Sequence, residues 1–213
     1  MPKKSASSPR RGADPAVRIV EAALALAARE GSWRRISLAA IAAEAGLPLL
    51  DVYAVYRSKA EILEAFQQRV DREVLASVEP DPGERPRDLL FDAIMRRFDA
   101  LRSYKEAIRV ITRDAAGDPM AALGSAPAFV ASMSWMLETA GVGSGGWRGA
   151  LRVRALGVLY LIVLRVWIDD DSPEMMKTMA ALDRRLRQGA IWLGLGSPRD
   201  SGDTAVADVQ PAP

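Results

Sequence analysis

The chain has no cysteine and no histidine, which removes disulfides, thiol nucleophiles, zinc fingers and every imidazole acid, base or metal ligand. The carboxylates that remain do not have calcium-loop spacing. Asp169, Asp170 and Asp171 are simply consecutive and read as a solvated helix end before they read as a metal site. The glycine-rich stretch GVGSGG (141–146) lacks a preceding strand and a phosphate-binding lysine, and no nucleophile stands beside a base. The expectation is a protein that is not an enzyme and holds neither metal nor cofactor. Long apolar runs are also missing: residues 155–164 are bracketed by Arg154 and Arg165, far short of the ~20 residues that span a bilayer. Aromatic residues make up only 6% of the chain. With abundant Ala, Leu and Arg, and no alternating pattern of any length, this leans the chain to helices throughout.

What is present fits a folded protein: 49% apolar and 26% charged residues over 213 positions, enough for two modest cores. The net charge of +2 is unevenly spread. Residues 1–59 hold ten Lys/Arg against five Asp/Glu, the remainder nineteen against twenty-two, so a basic head precedes a mildly acidic body. Excesses of this size are also common on solvated surfaces. The opening MPKKSASSPRRGADP carries Lys3, Lys4, Arg10 and Arg11 without an apolar stretch, so no secretory signal is read there and the expected location is cytoplasmic.

Helical spacing of Val17, Val20, Leu24 and Ala27, opened by Asp14-Pro15 and stopped by Gly31, predicts a first helix over 14–30. Ser37 caps a short second helix with Leu38, Ile41, Ala42 and Ala45 inside, Gly46 ends it, and a third follows from Pro48 to about Val55. Ser58 caps a fourth, through Ile62, Leu63, Phe66, Val70 and Val74, which runs to the breaker-rich stretch EPDPGERP (79–86), read as a hinge. Further helices are predicted near 86–102, 104–115, 126–140, 147–169 and 172–193, with a polar, disordered tail beyond.

The stretch ISLAAIAAEAGLPLLDVYAVYRSKAEIL (36–63) is a helix, a glycine turn and a second helix, the arrangement that braces one helix on the DNA backbone and lays the next in the major groove. It resembles the TetR family of transcriptional regulators at Ser37, Ile41-Ala42, Ala45-Gly46, Tyr53, Tyr56 and Ser58-Lys59. That resemblance implies an all-α fold of about nine helices: a basic arm (1–13), a three-helix DNA-binding domain (14–60), a helical effector and dimerisation domain (61–195) and a tail (196–213). It implies double-stranded DNA as partner, a homodimer, and phosphate contacts from Ser37, Tyr53, Tyr56 and Lys59, which fix register without reading bases. Packing of the small domain is the competing use of Tyr56. Arg34, Arg35 and Arg57 add backbone contacts or are plain surface charge. The exposed face of the third helix departs from the family, with Pro48, Leu49, Leu50, Asp51, Ala54 and Val55. Leucine and valine cannot hydrogen-bond a base edge but can touch a thymine methyl, and Asp51 can accept only from a cytosine amine.

Residues 155–168 are apolar almost all round, so a partner is expected to cover the far side. With Ser172-Pro173-Glu174 opening the last helix, the predicted dimer interface comprises Leu156, Leu159, Tyr160, Val163, Trp167, Met175, Met179, Leu182 and Leu186; burial inside one chain is the alternative. The segment VWIDDDSPEMMKTMAALDRRL (166–186) also resembles the end of the lipid-binding accessory proteins of ubiquinone biosynthesis, at Trp167, Ser172-Pro173, Thr178, Leu182-Asp183 and Arg184-Arg185. This implies a rival function, a lipid- or protein-binding module of the same fold that has lost DNA readout. A pocket for an apolar or lipid-like small molecule is expected among Met95, Phe98, Tyr104, Met120, Phe129, Met133, Trp135, Met136 and Trp147, with Arg97, Arg109 or Arg113 available for an acidic head group.

Overall fold

The computed structural model describes residues 14–77, 83–117, 124 and 126–195. The basic arm, the tail, Met120 and the first half of the breaker-rich hinge (79–82) therefore lie outside the described residues. Within them the chain is helical: α1 Pro15–Glu30, α2 Leu38–Ala45, α3 Leu49–Val55, α4 Lys59–Ser77, α5 Pro86–Leu101, a 3₁₀ turn Arg102–Tyr104, α6 Lys105–Ala116, α7 Ala126–Thr139, α8 Gly146–Ile168 and α9 Met176–Leu193. No strand occurs among the described residues. The residues divide into two units, one of 1–67 with 104–125, the other of 68–103 with 126–213.

In the first unit the local signals work as their chemistry dictates. The Asp14 carboxylate accepts from the Ala16 amide at 2.9 Å, Pro15 occupies the first turn, and Gly31 closes α1 in the left-handed conformation. Ile19, Val20, Ala23, Leu24 and Ala27 form its buried stripe. α6 lies against this helix. The Tyr104 hydroxyl donates to Glu21 (2.9 Å), and the Asp114 carboxylate accepts from the Ser32 hydroxyl and the Arg34 amide (both 3.1 Å). The amide of Arg34, helped by Ser32, holds the Asp114 carboxyl below its usual range. Sequence reasoning ended the first domain near residue 60; by packing, α6 and the start of α4 belong with the head.

The second unit is built on α8 and α9 packed together, with α5 and α7 against them. Phe98 stacks between Tyr160 (5.3 Å between ring centroids) and Trp167 (5.4 Å). The predicted start of the last helix moves. Met175 adopts a left-handed conformation (φ 51°) and α9 begins at Met176, whose amide donates to the Ser172 hydroxyl at 3.0 Å. The cause lies outside the Ser-Pro-Glu signal. The buried Asp170 carboxylate accepts from the amide and hydroxyl of Thr178 (both 2.8 Å) and from the amide and hydroxyl of Ser172 (3.2 and 2.6 Å), and so dictates where the chain re-enters a helix. Burial opposes ionisation here, but those four donors outweigh it and hold the Asp170 carboxyl far below the normal carboxylate range.

The same packing places the residues expected at a dimer interface. Leu156, Leu159, Tyr160, Val163, Trp167, Met175, Leu182 and Leu186 are all buried within this one chain, and Met179 is half-buried. They form the core of the second unit rather than a surface. The outward side of α8 instead carries Leu151, Val158, Leu161 and Ile162, and the end of α9 exposes Ile191 and Trp192.

Candidate nucleic-acid interface

α2 and α3 meet at 106°, across the three-residue break Gly46-Leu47-Pro48. That angle falls within the range of helix-turn-helix pairs. The turn depends on Gly46, at φ +63°, whose amide donates to the Ala43 carbonyl (3.1 Å) while the Leu47 amide returns to Ala42 (3.0 Å). Arg18, from α1, donates to the Ala45 carbonyl at 2.5 Å and places a positive charge on the C-terminus of α2. Sequence reasoning passed over Arg18, because nothing in the spacing of α1 shows that its side chain reaches the next helix. Ile41, Ala42, Ala45 and Val52 seal the inner side of the pair.

The outer side is where the predicted contacts stand. The Ser37 hydroxyl accepts from the Ala40 amide at 3.1 Å as the cap of α2, and its own proton is left to donate outward. On α3, Val52 alone is buried, while Leu49, Leu50, Asp51, Tyr53, Ala54 and Val55 are exposed, Leu50 to 76% and Tyr53 to 58%. Tyr56, which ends α3 in extended backbone, is half-buried. Arg34, Arg35 and Arg57 are exposed on the same unit, and Arg35 reaches the Glu30 carbonyl only at 3.5 Å.

Lys59 has a different task from the phosphate contact that the resemblance implies. Its ammonium donates to the carbonyls of Trp33 and Ile36 (both 2.8 Å) and Arg34 (3.4 Å), and it lies 5.1 Å from the centre of the Trp33 ring. Three donors meet three acceptors, so the side chain fastens α4 to the loop before α2. Partial burial lowers its pKa, against the raising influence of Asp114. The Lys59→Met variant is expected to lose about 1–3 kcal/mol of stability by leaving these carbonyls without their donor. Urea unfolding without DNA reads this. An unchanged midpoint with weakened DNA binding would return Lys59 to phosphate contact.

The described residues expected to form an apolar pocket stand in several settings. Tyr104 belongs to the first unit, where it meets Phe66 edge-on at 5.1 Å. Trp147 is exposed, with Arg148 over its ring, and Phe98 and Met133 are fully buried in packing. Trp135 and Met136 line a small cavity with Asp71, Val74, Leu75, Arg97, Ser132 and Thr139. Its volume of about 10 Å³ is room for about one water molecule. Beside it Arg97 is buried and paired with Asp71, its Nε donates to the Tyr160 hydroxyl at 3.2 Å, and the Ser132 hydroxyl donates to Asp71 at 2.5 Å. The sequence offered Arg97 for an acidic ligand; within the fold its charge is already met by Asp71. Asp71 and Ser132 were missed, since a polar residue next to an apolar stripe reads as solvated until its partner is known.

A three-helix head with this helix-turn-helix geometry, continued by a helical body, defines the fold of the TetR-type transcriptional regulators. Among solved structures the chain is similar to a TetR transcriptional regulator from Nitrosomonas europaea, with 24% identity, 84% of this chain and 99% of that one covered, and a TM-score of 0.66. A TetR transcriptional regulator from a Rhodococcus species (20% identity, 81% and 95% covered, TM-score 0.56) and a TetR-family regulator from Streptomyces coelicolor (20%, 85% and 83%, TM-score 0.57) share the fold. No protein-family model matches the chain, and no curated protein matches it.

Proposed function

We propose that the chain is a DNA-binding transcriptional regulator of the TetR type, one that represses by occupying its site. The observation that carries this reading is the 106° helix pair with the outer side of α3 exposed and with Arg34, Arg35 and Arg57 exposed on the same unit. Ser37, Arg34, Arg35, Arg57 and the Tyr53 phenol hold phosphates, while Leu49, Leu50 and Asp51 face the bases. Lys59 and Arg18 position the helices that carry them. The test is binding to fragments of the DNA upstream of its own coding sequence, against random competitor, over a range of salt. A dimer presenting three arginines per protomer is expected to give a slope of log K against log salt of about −5, and Arg57→Ala to reduce its magnitude by about 2. Binding without salt dependence, or no binding, sinks the reading.

The dimer in this reading is carried by the outward side of α8 and the end of α9. Leu151, Val158, Leu161 and Ile162 on α8, with Ile191 and Trp192 at the end of α9, the last two 83% and 65% exposed, are large apolar side chains that a second copy would take out of water. The double variant Val158→Glu/Leu161→Glu is expected to sediment as a monomer at concentrations where the parent is dimeric. A parent that is monomeric throughout, or a variant that stays dimeric, overturns this interface.

The water-sized cavity beside Arg97 admits an apolar molecule only if Trp135 and Met136 move aside. The rival reading, a lipid- or protein-binding module of the same fold, is favoured by one observation, the apolar outer side of α3, and it becomes the leading account if no DNA is bound.

A further inference from the structure

We propose that this chain selects its DNA site through thymine methyl groups, packed against Leu49 and Leu50, and through a cytosine amine that donates to Asp51. The inference rests on the DNA-binding reading and specifies what is read. In the major groove each base edge offers a donor, an acceptor or both, but only thymine offers an apolar group, its C5-methyl. Leu50 (76% exposed) and Leu49 (51%) leave α3 with no inward partner. Neither has a polar atom to offer a purine. The exposed residues at the start of α2, Ala39 and Ala40, add no side-chain donor either.

Asp51 supplies the second half of the specificity. It is exposed, and its carboxylate makes no hydrogen bond or ion pair among the described residues. Close to phosphates such a charge is repelled, and it is repelled also by the O6 and N7 acceptors of guanine and the O4 of thymine. The cytosine N4 amine is the base-edge group that offers a donor without an acceptor beside it. Asp51 therefore favours cytosine as the base it faces, where an arginine in the same place would favour guanine. Arg34, Arg35 and Arg57 provide the positive charge that offsets this carboxylate and fixes the register of the reading helix. Three exposed arginines on the same unit favour DNA over an apolar protein partner.

The experiment is selection of sites by the full chain from random duplex DNA, followed by titration of the enriched duplex with each thymine replaced in turn by deoxyuridine. This removes the methyl and nothing else. The expected result is an enriched motif containing thymine and cytosine, with about fourfold weaker binding for each methyl read, the factor for one apolar carbon returned to water. In Leu50→Ala, an exposed substitution that spares the core, part of that uracil penalty is expected to vanish. In Asp51→Asn the selected cytosine is expected to give way to adenine, which an amide pairs with at N6 and N7. A motif indifferent to uracil overturns the methyl readout and leaves the regulator standing. Salt-dependent binding with no enriched motif overturns base reading altogether. No binding at any salt sinks the regulator as well, and makes Leu49 and Leu50 a protein-binding surface.

Discussion

Asp71→Ala is expected to destabilise the second unit by about 3–5 kcal/mol, the cost of leaving a buried charge without its partner. Arg97 is 3% exposed and remains charged; burial disfavours its charged form, but Tyr160 and Asp71 outweigh that and raise its pKa. Burial pushes the Tyr160 phenol up, so it stays neutral and cannot replace the carboxylate. Ser132 also loses its acceptor. Guanidinium unfolding followed by circular dichroism measures the loss. The double variant Asp71→Leu/Arg97→Met is expected to recover most of it, since removing both charges also removes their desolvation cost. A single variant within about 1 kcal/mol of the parent would mean that water reaches Arg97 and serves as its partner.

Trp167→Ala should cost a similar amount, about 3–5 kcal/mol, for a different reason. The indole is almost wholly buried and stacks on Phe98, which in turn stacks on Tyr160, so truncation opens a void in the middle of an aromatic row. Trp167→Phe keeps most of the contact and should lose less than half as much. If Trp167 were instead an interface residue, as its sequence context suggests, the alanine variant would shift self-association and leave the stability of the isolated protomer nearly intact. Unfolding measured across protein concentrations separates the two.

Much of the head was legible before any coordinates. Asp14-Pro15, Gly31, Ser37 and Gly46 act through backbone groups one to four residues away, and such signals carry the same meaning wherever they stand in a chain. The exposed apolar side of α3 was legible by another route: the resemblance implies which face of the third helix turns outward, and Leu49, Leu50 and Val55 are exposed there. Site residues reached from another helix were not legible. Arg18 to Ala45, Lys59 to Trp33 and Asp114 to Ser32 are separated by 27, 26 and 82 positions, and no spacing rule extends so far. Ser172-Pro173-Glu174 misled because a good local cap lost to Asp170, whose four hydrogen bonds fix the chain more strongly than one dipole contact.

The sequence by itself determined that the described residues fold into helices, that the chain has no thiol or imidazole chemistry, and that its head contains a helix-turn-helix with an apolar outer side. These follow from composition and from interactions within a turn or two of helix. Only the tertiary structure decided which side of α8 is core and which is surface. A helix apolar nearly all round carries no preference of its own, and Leu156, Tyr160, Val163 and Trp167 were buried by the neighbours that α5, α7 and α9 brought to them, leaving Val158, Leu161 and Ile162 to water. Burial is a property of what packs against a residue, and that is fixed by the whole chain at once.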